Sequence, residues 1–336
     1  MSPRLLHLKR CWGTTESFYD RNKRSTLLFI KHFGGNVKDT NECIQQYLSA
    51  WHSRKDDNQY VSAGITGLSA SEILQLFEHP ALRLPEHKHA GVSLMVDLMA
   101  ENESMYFDAI YGAMYGREGI RGWLIPMMKE IDFIEFTPTQ PSAVFTGASD
   151  TWTLDEWQMF AVFGDDRIPL PKGVSVRRYV DGFITQACDV YDTASMRQPG
   201  PDGSVADIPG VPVVNWLRDH SVADLHWGTT NASELCAQFH PTESLYIDPV
   251  HGEFKGRDAI AAWLPQHVAG LKDVVREAVG PALNNGSTAV QEWQHVLVQP
   301  NGERIFLTRG TSVRRNDGQF ITYAADYYDA ASLPSA

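Results

Sequence analysis

The sequence predicts an α+β protein in which one pattern, helices followed by a curved antiparallel sheet, is written twice. Three observations predict it. Residues Met99–Leu124 lie without a gap on Phe239–Leu264, 140 positions later, with 10 of 26 residues identical. Gly173–Ser195 lies on Gly310–Ser332, 137 positions later, with 14 of 23 identical. Within each copy a helical hydrophobic period comes first and a two-residue alternation comes last, the order of an α+β domain. A unit of roughly 130 residues can bury one hydrophobic core, so the chain divides into two domains.

Taken in order, residues 1–40 are a basic leader. Eight Lys and Arg between Arg4 and Lys38 stand against Glu16 and Asp20, the reverse of the acidic remainder. The leader is expected to be poorly ordered, with an organelle-targeting segment as the alternative. The first domain spans 41–197. Glu42–His52 places Cys43, Tyr47, Leu48 and Trp51 at helical spacing, and Ser69–Phe77 opens with Ser69 or Ser71 as cap and Glu72 three residues after Ser69. A strand pair follows around Tyr106-x-Asp108, then a helix entered through Gly116 with Ile120, Trp123 and Leu124 as its apolar stripe, then longer strands including Trp157–Phe160. Gln198–Pro212, rich in Gly and Pro, is the linker. The second domain, 213–333, repeats the order. Val213–His220 supplies a helix, Tyr246-x-Asp248 the strand pair, Gly256 the entry to a helix striped by Ile260, Trp263 and Leu264, and Trp293–Val296 and Arg304–Val313 two strands closed by the Asn301-Gly302 turn.

Composition narrows the function. With 29 basic and 41 acidic residues the net charge is −12, which repels phosphate backbones and anionic membranes, so nucleic acid is excluded as a partner. No apolar run reaches the length of a membrane span. Cys11, Cys43, Cys188 and Cys236 show no paired spacing and do not recur between the repeats; they read as free thiols in the reducing cytoplasm. His79, His87 and His89 match no metal-ligand spacing. No glycine-rich nucleotide loop or lipoyl-type lysine is present, so no metal and no cofactor is expected, and proton transfer is the chemistry left.

The candidate residues follow from strand geometry. Tyr106 and Asp108 are two apart on a strand and share a face, as do Tyr246 and Asp248. In the last strand one parity reads Phe183, Thr185, Ala187, Asp189, Tyr191 and its copy reads Phe320, Thr322, Ala324, Asp326, Tyr328, identical throughout, while the other parity drifts. The shared parity therefore faces inward, carrying Asp189 and Asp326 with it. A buried carboxylate needs a partner or a task. One expectation is an acid/base set of aspartates and tyrosine with carboxyl pKa values raised by desolvation; the other is scaffolding, with Asp189 held by Arg177 and Arg178 and Asp326 by Arg314 and Arg315. His251 and His295, where the first copy has Tyr111 and Met159, are either a proton relay near neutral pH or structural. The aromatic content of 11%, with nine tryptophans, points to a ring-bearing ligand, with Trp123, Trp157, Trp263, Trp293 and Tyr111 as lining candidates.

The string YIDPVHGEFKGRDAIAAWL, from Tyr246 to Leu264, resembles the signature of the nuclear transport factor 2-like superfamily in its SnoaL-like polyketide cyclase, ketosteroid isomerase and limonene epoxide hydrolase branches. The resemblance covers roughly residues 65–197 and 211–333 and implies two tandem cone-shaped domains. The ketosteroid isomerase pattern implies a proton-shuttling base at Asp248, and at Asp108 in the first copy, where Ala109 replaces the proline. The epoxide hydrolase pattern places its water-binding group on Tyr246, Asp248, Arg309 and Asp326; Asp248 stands where that pattern has Asn, and Thr311 where it has Asp. In the first copy Lys172 and Val174 occupy the positions of Arg309 and Thr311. Members commonly pair through their sheets, which implies a homodimer.

The expected function is a cofactor-independent lyase that eliminates water or formaldehyde from an apolar, aromatic small molecule by general acid/base catalysis. An epoxide hydrolase or an isomerase/cyclase in the same pocket is the alternative. A non-catalytic ligand-binding or dimerisation module is another, as is a division of labour in which one repeat is structural.

Overall fold

The computed structural model describes residues 40–53, 69–77, 79–83, 87, 89–131, 133–193, 232–270 and 274–332. Apart from Thr40, the leader lies outside the described residues, as do the linker and the helix expected over 213–220.

The first half opens with three helices, α1 (Thr40–His52), α2 (Ala70–Phe77) and α3 (Ala90–Leu98). The expected box at the start of α2 forms. The Ser69 backbone N–H and hydroxyl each donate to Glu72 Oε2 at 2.7 Å, and the Glu72 N–H returns to Ser69 Oγ at 3.3 Å. Helix α3 has no counterpart in the sequence reading. Its residues are apolar nearly all round and mostly buried, so it carries no one-sided stripe to recognise.

Strands β1 (Met105–Asp108) and β2 (Gly112–Tyr115) precede α4 (Arg117–Glu130), and β3 (Ile134–Pro138), β4 (Ala143–Thr146), β5 (Thr151–Phe163), β6 (Asp166–Val180) and β7 (Phe183–Tyr191) follow. The second half gives α5 (Ala232–Ala237), β8 (Leu245–Asp248), β9 (Gly252–Lys255), α6 (Arg257–Gly270), β10 (Val274–Ala278), β11 (Leu283–Asn284), β12 (Thr288–Val298), β13 (Arg304–Asn316) and β14 (Ile321–Tyr328). Helices α4 and α6 are entered through Gly116 and Gly256 at φ 69° and 79°, a left-handed backbone that a side chain would strain.

Each half forms a seven-stranded sheet, ordered β2-β1-β7-β6-β5-β3 and β9-β8-β14-β13-β12-β10, with β4 and β11 pairing β5 and β12. The sheets are mixed rather than purely antiparallel, because β1 runs parallel to β7 and β8 parallel to β14. That pairing arises because the first hairpin is placed beside the final strand, with the rest of the half between them in sequence. It also sets the site, for its register puts Tyr106 beside Ala187 and Asp108 beside Asp189.

The alternation gives each sheet two distinct faces. One packs on the helices: Tyr106 and Ala187 join Tyr47, Leu94, Ile120 and Leu124 in one cluster, and Tyr246 and Ala324 join Phe239, Ile260 and Leu264 in another. The opposite faces pack on each other. Leu154, Val174, Val176, Cys188 and Val190 of the first sheet share a core with Val290, Val313, Tyr323, Ala325 and Tyr327 of the second. Buried charge is set into this seam. Glu156 accepts from Arg315 at 2.6 Å and from the Tyr323 and Tyr327 hydroxyls at 2.7 Å. Glu292 accepts from Arg309 at 2.8 Å and from Gln186 of the first half at 3.2 Å.

Stripping one partner from such a buried set leaves the others uncompensated. Glu156→Ala is therefore expected to lower the unfolding free energy by about 3 kcal/mol, read by urea denaturation; a loss no larger than that of an exposed alanine substitution would contradict the seam.

Candidate functional site

On the helix-facing side of the second sheet, Asp326 is buried among four donors. Tyr246 donates to Oδ2 at 2.6 Å and Arg276 at 3.0 Å; Ser312 donates to Oδ1 at 2.7 Å and Arg314 at 2.8 Å. Behind Ser312, the indole N–H of Trp293 donates to its hydroxyl at 2.8 Å. That indole lies flat on Gly310, where an added Cβ would fall 2.3 Å from the ring, so only glycine admits it. The first half repeats most of this. Tyr106 makes a short bond to Asp189 Oδ2, Ser175 donates to Oδ1 at 2.6 Å, and Trp157 donates to Ser175 at 2.9 Å. Gly173 lies under Trp157 in the same way, at 2.2 Å.

Two substitutions separate the two. Arg177, the counterpart of Arg314, turns away to pair with Asp155. In the second half Gln291 occupies the position of Asp155, carries no charge to compete, and Arg314 reaches Asp326. Arg276 has no counterpart either, since the matching register position, opposite Met159, is Phe136. Burial acts to raise the Asp326 pKa, but Arg314 and Arg276 outweigh it and hold the carboxyl below the usual range.

The second aspartate of each half lies beside the first. Asp248, fully buried, accepts from the Val250 and His251 backbone at 3.0 and 2.9 Å, from His251 Nδ1 at 2.8 Å and from Tyr328 at 3.0 Å. Asp108 accepts from Ile110 at 2.8 Å and from Tyr111 and Tyr191 at 3.1 Å. Burial first, and then the charge of Asp189, pushes the Asp108 carboxyl up to about 7.

The rings arrange around these carboxylates. In the second half Trp263 stacks on Phe254 and His267, 4.3 and 4.9 Å between centroids, and lies 5.1 Å from Tyr246 and 5.5 Å from His251. Arg276 caps Trp293 at 4.1 Å and donates to His295 Nε2 at 3.0 Å. In the first half Trp123 lies 5.6 Å from Tyr106 and 5.2 Å from Tyr111.

The structure thus gathers Tyr246, Asp248, His251, Trp263, Trp293, His295 and Asp326 on one face, and Tyr106, Asp108, Tyr111, Trp123, Trp157 and Asp189 on the equivalent face of the first half. Arg309 does not join them. It lies three residues before Ser312, hence on the opposite side of β13, and pairs with Glu292 in the seam; the arginines at the carboxylate are Arg314 and Arg276. The scaffolding expectation is met only in part: Arg178 pairs with Asp150 and Arg315 with Glu156. Arg276, His267 and the hydroxyls of Tyr191 and Tyr328 escaped the sequence reading. The signal was there in comparing the copies, where Phe136, Met127, Met159 and Tyr111 stand opposite Arg276, His267, His295 and His251. The first site has three apolar side chains and a tyrosine where the second has an arginine and three histidines.

The raised Asp108 carboxyl carries a linkage. The folded state holds a proton that the unfolded chain releases near pH 4, so this group costs stability as pH rises from about 4 through about 7. Asp108→Asn removes the cost, and its stability relative to the parent is expected to rise between about pH 4 and 7 and to level off above that in thermal unfolding; a pH-independent difference would contradict the assignment.

No family model matches the chain, and no curated protein matches it. Solved structures similar to parts of it include a protein with a ketosteroid isomerase-like fold from Catenulispora acidiphila, 23% identical over 32% of this chain and 82% of that one, with a TM-score of 0.27. A protein of the SnoaL-like family from Agrobacterium tumefaciens is 19% identical over 31% and 88%, TM-score 0.26. A nuclear transport factor 2-like protein of unknown function from Cytophaga hutchinsonii is 14% identical over 29% and 83%, TM-score 0.25.

Proposed function

We propose that the second half is a cofactor-independent acid/base catalyst acting on an apolar, aromatic small molecule, and that its reaction is a lyase-type elimination. The observation that carries the reading is the Asp248–His251 pair. Asp248 Oδ1 holds His251 Nδ1 at 2.8 Å while the imidazole keeps 40% of its side-chain surface exposed. The Asp248 carboxylate, itself fixed by its other donors, anchors the Nδ1 side of the ring and leaves Nε2 to take up a proton. His251 Nε2 removes a carbon-bound proton, the electron pair left behind expels an oxygen leaving group, and the proton is returned to that oxygen. Returning it instead to a second carbon would give an isomerisation, the alternative outcome in the same site; opening an epoxide is a further one.

The first half is proposed as the structural member. It has Tyr111 in place of His251, and its Tyr106 belongs to the same buried cluster as Tyr47 of α1 and Leu94 of α3. Three buried free thiols, Cys43, Cys188 and Cys236, support a reducing, cytoplasmic setting. No described helix is long and apolar enough to cross a membrane. The sheet faces expected to pair two chains here pair the two halves of one, so the proposed homodimer has to form through other surfaces.

The test is deuterium exchange. Incubated in D2O with aromatic ketones or arylpropanoid alcohols bearing an activated C–H, the full chain is expected to incorporate deuterium at that carbon or to eliminate water, read by mass spectrometry. His251→Gln is expected to lower the rate by about 10²-fold or more, the usual worth of a positioned base, with the far-ultraviolet circular dichroism unchanged. Exchange that survives His251→Gln and is lost in Asp108→Asn would place the chemistry in the other half.

A further inference from the structure

We propose that the second half holds its ligand through an oxygen atom that accepts a hydrogen bond from His295 Nδ1, and that the first half makes no such demand. The inference rests on the second half being the ligand site. Arg276 fixes the tautomer. A guanidinium can only donate, so the Arg276 Nε–H bonded to His295 Nε2 at 3.0 Å requires a bare nitrogen there, and the proton of the neutral ring sits on Nδ1. Burial, reinforced by Arg276, drives the pKa down to about 2, which keeps the ring neutral at any working pH.

The Nδ1–H is then a buried donor, on a residue 1% exposed, with no acceptor among the described residues. A buried donor without a partner costs free energy, which a ligand acceptor would recover. Its surroundings suit an aromatic guest carrying such an oxygen. The imidazole is flanked by Trp293 at 4.4 Å and Tyr328 at 5.6 Å. His267 Nε2, stacked on Trp263, is likewise without a partner among the described residues. At the matching places the first half has Met159, Phe136 and Met127, which present no N–H at all. A donor fixed in tautomer and without an acceptor among the described residues discriminates against ligands that lack the oxygen far more sharply than an apolar wall can.

Acetophenone and ethylbenzene, alike in shape apart from the carbonyl oxygen, are the probes. Titrated calorimetrically into the full chain, acetophenone is expected to bind, and His295→Met, which installs the residue the first half uses, should weaken it about tenfold while leaving ethylbenzene unchanged; tenfold corresponds to 1.4 kcal/mol. With carbonyl-13C-labelled acetophenone, the bound resonance should lie downfield of the free one in the parent and return toward it in His295→Met. In the unsubstituted chain, the Nδ1–H proton resonance of His295 should move on binding, a reading that needs no variant to fold. An unmoved proton resonance, an unaltered affinity and carbonyl shift in His295→Met, or a parent that binds acetophenone no better than ethylbenzene would each overturn the proposal. Acetophenone bound with a shifted carbonyl but without deuterium exchange would instead remove the catalytic reading and leave this one standing.

Discussion

A carboxylate carried into the protein on the inner parity of the last strand must be satisfied there, and the way each half satisfies it decides what that half can do. Asp326 and Asp189 have the same tyrosine, the same serine and the same indole behind the serine. They differ in arginines. Two guanidiniums make Asp326 a settled anion, and burial together with Arg276 keeps the neighbouring His295 uncharged, while Asp248 accepts from His251. Asp189 accepts hydrogen bonds from the hydroxyls of Tyr106 and Ser175, with Arg177 turned to Asp155; burial first, and then the charge of Asp189, raises the neighbouring Asp108 carboxyl toward neutrality.

The duplication also explains how two such sites can drift apart without losing the fold. The outer faces of the two sheets bury each other, and Glu156 and Glu292 lock the seam with hydroxyls and guanidiniums from across it or beside it. Because this interface is built from the odd-numbered side of β13 and β14, and the sites from the even-numbered side, changes such as Phe136 against Arg276 or Met159 against His295 alter chemistry on one face and leave packing on the other. A strand separates the two tasks by its two-residue period.

Much of this was legible in the sequence. The repeat gave the two sheets, and the identical parity of β7 and β14 placed Asp189 and Asp326 inside, because alternation is a local rule that distant contacts rarely reverse. The parallel pairing of β1 with β7 was not legible, since it joins segments about 80 residues apart and no local pattern encodes it. Arg309 was misplaced because it was taken from a motif position and not from parity; counted back from Ser312 it falls on the seam face. Arg276 was missed for another reason. It lies on β10, beyond the two segments where the copies are most alike, and stands opposite Phe136 only when the offset of 140 is carried on past Leu264. Asp248 falls on the base position of the resembled pattern; in the structure it accepts four hydrogen bonds, one of them from the His251 ring.

The most direct test of this account is the charge state of the two buried sets, followed by carbon-13 NMR of aspartate side-chain carboxyls from pH 3 to 9. The account requires the Asp108 signal to titrate near pH 7 while the Asp326 signal remains that of an ionised carboxylate throughout. Two signals that both titrate near the ordinary aspartate value of about 3.9 would show that the arginines do not divide the sites as argued here.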